Sequence, residues 1–372
     1  MSIRNIWIRC GAIVLCVLAA PVLGAQTVPA QGGPPPAATR SPSAEQPAQA
    51  SPTSELQTGT ALTRRGLLRE AIPHLLAAQS AGSDPYAVGV NLGICYLGTE
   101  SYKQAIAVLE ALRAAGHRTT VVDNLLAQSY LGDGQTGPAL QVFQEAAAAA
   151  PKDEKLYAFM ADACTDRQDY SLGLRVVDRG LRQLPNSARL HYERALFLAR
   201  LDRFDEAKPE FDRAAQIAPD SYIGYLALVQ KDLYEDNLPE ATRVLRQAIK
   251  AGHRDYQMLS LLGSVLLFEG AVPGQPQFAE AQAALEESAR DRPDYSATQI
   301  ALGKLYLRAG RYKDAAVHLE IGRRLEPNNP SVYASLASAY NRLGERDKAR
   351  EMDLQVGRLL AEKKAVAAQP RE

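Results

Sequence analysis

Tryptophan occurs once in the 372 residues, as Trp7, and aromatic side chains make up only 6% of the chain. Flat stacking platforms are therefore scarce, which disfavours a groove built for sugars. Net charge is missing as well. Forty-two Lys and Arg balance 42 Asp and Glu, so no global field recruits nucleic acid or an anionic membrane. Only four cysteines occur. The apolar run Cys10–Ala20 has 11 residues, short of the ~20 that span a bilayer. His74, His117, His191, His253 and His318 are scattered with no H-x-x-x-H pair, so no metal site is expected. Gly132, Gly134 and Gly137 spell G-x-G-x-x-G, but they join two helical stretches. A dinucleotide site needs that motif between a strand and a helix. Asp162 and Asp166 share a helical face and read as a solvated or salt-bridged edge. No catalytic set and no cofactor are expected, and the chain is not read as an enzyme.

The first residues have the order of an export signal. Arg4 and Arg9 precede the apolar run, Pro21 breaks it, and Leu23-Gly24-Ala25 offers a small-residue cleavage site. Residues 1–25 are expected to be removed, giving a periplasmic or secreted protein with no membrane span in the mature chain. A retained N-terminal anchor is the alternative. Residues 26–51 are rich in Pro, Ala, Ser and Gln and are expected to be a disordered linker. Cys95 and Cys164 then remain, in segments too far apart for a disulfide, and are read as core thiols.

What the chain does have is a repeat. Ser296–Asn329 holds two amphipathic helical runs in 34 residues. The same frame starts at Pro52, Tyr86, Thr120, Glu154, Ala188, Tyr222, Tyr256, Ser296 and Pro330, in steps of 34 except one of 40. Position 20 is Ala71, Ala105, Ala139, Gly173, Ala207, Ala241, Ala281, Ala315 and Ala349, after removal of six extra residues from the seventh unit. Position 8 is small in eight of nine units, as at Gly59, Ala127 and Gly303. Position 34 carries Thr119, Asp153, Ser187, Ser221, Asp255 and Asn329, side chains that cap the next helix. Gly134, Gly310 and Gly344 mark the turn at position 15. The extra residues belong to 269–277, read as a tolerated loop extension or, alternatively, a binding loop.

This pattern resembles the tetratricopeptide repeat (TPR), a helix–turn–helix unit of the same length. The resemblance covers residues 52–364 in about nine units. It implies an all-α, right-handed superhelical solenoid, with 365–372 left as a disordered tail. It also implies a concave groove lined by the first helix of each unit. Carried over by position, the groove residues are Asn124, Gln128, Lys155, Asp162, Arg189, Tyr192, Arg200, Gln230, Tyr234, Lys304 and Arg308. The implied partner is a protein or extended peptide. The function expected is a non-enzymatic exported scaffold in envelope assembly or secretion; the alternative is a carrier for a small molecule or glycan. Arg194 and Asp232 occupy positions that are usually apolar. They are expected either to pair across adjacent helices or to leave Asp232 in water with Leu233 inside.

Overall fold

The computed structural model describes residues 52–367. The expected signal (1–25), the expected linker (26–51) and residues 368–372 of the expected tail lie outside these residues. The chain is all-α within them, with no strand. The first helices of the units are α1 (Pro52–Arg64), α3 (Pro85–Gly98), α5 (Thr120–Gly132), α7 (Glu154–Asp166), α9 (Ala188–Arg200), α11 (Tyr222–Tyr234), α13 (Tyr256–Phe268), α15 (Ser296–Arg308) and α17 (Pro330–Leu343). Each is followed by a partner: α2 (Leu68–Ser80), α4 (Tyr102–Ala114), α6 (Thr136–Ala149), α8 (Tyr170–Gln183), α10 (Phe204–Ile217), α12 (Leu238–Lys250), α14 (Pro276–Asp291), α16 (Tyr312–Leu325) and α18 (Arg346–Ala367). The helices group into two compact bodies, α1–α8 ending at Pro185 and α9–α18 beginning at Asn186. Within each body the paired helices form a solenoid, in which a helix packs on its sequence neighbours and first helices pack on first helices, as α5 does on α7 and α13 on α15.

Helix starts follow the capping residues. Thr119 accepts from Val122 N–H, Asp153 from Lys155, Ser187 from Leu190, Ser221 from Gly224, Asp255 from Gln257 and Met258, and Asn329 from Ser331. Each oxygen satisfies a donor that the helix cannot bond internally. The turn inside each unit has one shared requirement. Position 15 has positive φ in all nine units, at Gly66, Glu100, Gly134, Gln168, Asp202, Asp236, Gly270, Gly310 and Gly344. Four of these residues are not glycine and bear the left-handed strain of an L-residue. Gln168→Gly and Glu100→Gly are therefore expected to stabilise their bodies by about 0.5–1 kcal/mol, the strain relief less the unfolded-chain entropy of glycine. Urea midpoints that stay level or fall would refute this.

Packing explains the small-residue columns. A Cβ built on Gly303 would meet Leu319 Cγ at 2.4 Å, and one on Gly263 would meet Leu285 Cγ at 2.4 Å. Position 8 is thus the seat for the large residue at position 24 of the same unit. Every alanine of the position 20 column is 0–1% exposed. Two hydrogen bonds recur between units. Tyr306 donates to Glu286 and Tyr340 to Glu320, both at 2.9 Å, and Tyr130 does the same to Glu110. Tyr157 donates to the Pro151 carbonyl and Tyr333 to that of Pro327, both at 2.9 Å, while Gln299 donates to Pro293 at 2.8 Å. The inserted segment of the seventh unit is mostly exposed and is held to the array at the buried Ala271. Arg308 donates to the carbonyls of Leu267 (2.6 Å) and Ala271 (3.0 Å), closing the negative end of α13.

Candidate partner-binding face

In the first body, the helix spacing of α7 aligns Lys155, Phe159, Asp162 and Asp166 on one stripe, and α5 beside it aligns Val121, Leu125 and Gln128. Val121 is 49% and Phe159 39% exposed, two large apolar side chains left in water on adjacent first helices. Lys155 is exposed, and Gln128 and Asp162 are half-buried. Asn124 is buried among them and offers little surface. This face combines exposed apolar area with charges of both signs.

The second body differs. Tyr192 has no exposed surface, and its ring centroid lies 6.1 Å from that of Phe211. Burial pushes its phenol far above the ordinary tyrosine range. Gln230 is buried as well. Arg308 belongs to the framework through its two carbonyl bonds. Arg189 lies 3.5 Å from the buried Glu193 on its own helix. Arg200, Tyr234 and Lys304 are half-buried, with Tyr234 stacked on Phe211.

Two tetratricopeptide repeat family models match the chain, over residues 160–222 and 274–339. The chain carries tetratricopeptide repeats. Among solved structures, a TPR protein from Parabacteroides merdae ATCC 43184 is 17% identical, covering 68% of this chain and 98% of its own, with a TM-score of 0.51. YrrB, a TPR protein with an unusual peptide-binding site, is 16% identical over 49% of this chain and 91% of its own, with a TM-score of 0.37. The Cut9–Hcn1 structure of the APC/C is 13% identical over 84% and 76%, with a TM-score of 0.49. No curated protein matches.

Within the TPR frame, three of the histidines bond a partner in their own unit. His74 bonds Glu55 and His191 bonds Glu210, both at 2.6 Å, and His318 bonds Gln299 at 2.7 Å, each between the two helices of one unit. Among the described residues, no three His, Cys, Asp or Glu side chains converge as metal ligands. Arg194 pairs with Glu210 at 2.6 Å. Burial raises the Glu210 carboxyl, but the His191 bond and the Arg194 charge outweigh it and hold the group below its usual value. Asp232 has neither fate expected of it: it does not face water, being 6% exposed beside an equally buried Leu233. Cys95 and Cys164 are free and buried. Burial raises both thiols, Cys164 to about 12. Both are expected to stay unlabelled by a thiol reagent in the native protein and to react after unfolding; rapid native labelling of Cys164 would contradict its burial.

The sequence reading missed Val121 and Phe159. The available signal was Phe159 itself, a large apolar residue one turn from Lys155 and one from Asp162, on a stripe that is otherwise polar.

Proposed function

We propose that this TPR chain is a non-enzymatic scaffold that holds a segment of a partner protein, and that the α5–α7 face of its first body is the open binding surface. The observation that carries this reading is the exposure of Phe159 and Val121 beside Lys155 on adjacent first helices. A partner segment with an apolar anchor and an acidic neighbour suits that surface, with Asp162 opposing a purely anionic ligand. The order of charge, apolar run and small residues in 1–25 supports export, with action in envelope assembly or secretion. The exported form should then begin at Gln26, read by mass spectrometry.

Partner capture from the envelope fraction tests the surface. Phe159→Ala and Lys155→Glu are expected to weaken capture about tenfold or more, as loss of an interface anchor does, without lowering thermal stability. Arg175→Glu, exposed on α8, should leave capture unchanged. The reverse pattern would place binding elsewhere.

A further inference from the structure

The seventh unit departs from the others in its turn, and a cleft lies at the base of that turn. Glu269–Gln275 joins α13 to α14, where the shorter Glu235–Asn237 joins α11 to α12. The longer turn is fixed in place. Arg308 donates to the Ala271 carbonyl at 3.0 Å. Val272 N–H donates to the Gln275 side-chain oxygen and Gln275 N–H to the Val272 carbonyl, both at 3.1 Å. A turn ordered in advance lowers the cost of binding beside it. The cleft has a volume of about 600 Å³, within the range of ligand sites. Its floor is Leu238, Pro239, Thr242 and Phe268, of which Leu238 and Thr242 are buried and Phe268 is half-buried.

The charges around that floor are unbalanced. The Thr242 hydroxyl donates to Glu269 Oε1 at 2.9 Å, fixing this exposed carboxylate at the cleft. Asp236, held at φ 62° in the turn before α12, lines the same cleft. Neither carboxylate forms an ion pair among the described residues. Arg246 also lines the cleft and feels the Glu269 charge, but its Nε and Nη2 both donate to Glu280, at 2.9 and 2.6 Å. Three carboxylates, Asp236, Glu269 and Glu280, thus share one resident guanidinium.

We propose that this cleft receives an arginine side chain from an extended segment of a partner protein. The site lies in the second body and does not rest on the α5–α7 reading. The lining selects its occupant. A guanidinium is flat, permanently charged and weakly hydrated, so its stem and faces suit Leu238, Pro239 and Phe268. Its forked N–H groups match carboxylate oxygens. A lysine ammonium is more strongly hydrated and loses more over the same floor. Asp236 and Glu269 exclude an anionic group.

Calorimetric titration of the full chain with the peptide acetyl-Ala-Ala-Arg-Ala-Ala-amide tests this. The same peptide with citrulline keeps the shape without the charge, and is expected to bind at least tenfold more weakly. Glu269→Gln and Asp236→Asn should each weaken arginine-peptide binding about tenfold, as loss of a charge-assisted hydrogen bond does. Both residues are exposed, and asparagine tolerates the left-handed turn, so the helical circular dichroism should not change. Arg246→Gln removes the resident cation and should strengthen binding. Glu351→Gln, exposed on α18, should leave it unchanged. Equal binding of the two peptides would overturn the proposal, as would no binding at millimolar peptide or binding that survives both carboxylate variants. Free argininamide binding as tightly as the peptide would overturn it too, because that marks a small-molecule site. The probe has no apolar anchor for Phe159, so its failure and a failure of partner capture are separate results.

Discussion

Phe211→Ala is expected to lower the stability of the second body by about 3–5 kcal/mol, the usual cost of emptying a buried aromatic site. Phe211 is fully buried at position 24 of its unit, and position 8 of that unit is the small, buried Ala195. Its ring centroid is 6.1 Å from those of both Tyr192 and Tyr234. No neighbouring backbone can close the gap, because helix spacing in the array is set by every adjacent unit. Gln216→Ala, on the exposed side of the same helix, should change stability by no more than ~0.5 kcal/mol. Urea unfolding followed by circular dichroism compares the two, and equal shifts in midpoint would show that the packing register is wrong.

Asp232→Leu should have the opposite sign. Asp232 sits at repeat position 11, where adjacent units have Leu198 and Leu266 and others have tyrosine. Burial, and then the nearby Glu240 carboxylate, push its carboxyl from the ordinary 3.8 to about 6, against the pull of Lys231. Lys231 itself bonds Asp212 at 2.5 Å. A carboxyl with a raised folded value binds its proton more tightly in the folded state. Its contribution is thus most favourable below about pH 4, falls as pH rises to about 6, and stays unfavourable above. Replacement by leucine should stabilise the protein at pH 7 by about 1–3 kcal/mol, with each pKa unit worth ~1.4 kcal/mol. The fall in stability between pH 4 and 6 should shrink in the variant. A variant that is less stable at pH 7, or whose pH profile matches the parent, would refute the assignment.

Much of the fold is legible in the chain because its determinants are local and repeated. A capping oxygen at Asp153 or Asn329, a left-handed turn at Gly310 and a small residue opposite Leu319 each answer a backbone or steric demand within one unit or at its junction with the next. Repetition over nine starts turns weak single signals into a strong one. The sequence by itself therefore determined the helix pairs, their boundaries, the columns that touch and the burial of both thiols. Burial at the inner positions depends on groups distant in sequence, and tertiary structure decided it. Lys155 and Arg189 hold the same repeat position, yet Lys155 is exposed and Arg189 lies beside a buried Glu193. Tyr192 and Gln230 leave the surface, and Arg308 turns to carbonyls of the preceding unit. Arg194 pairs with Glu210, and Asp232 is buried. A repeat position specifies direction from the helix axis, but what lies in that direction is supplied by other segments, and no local pattern encodes it.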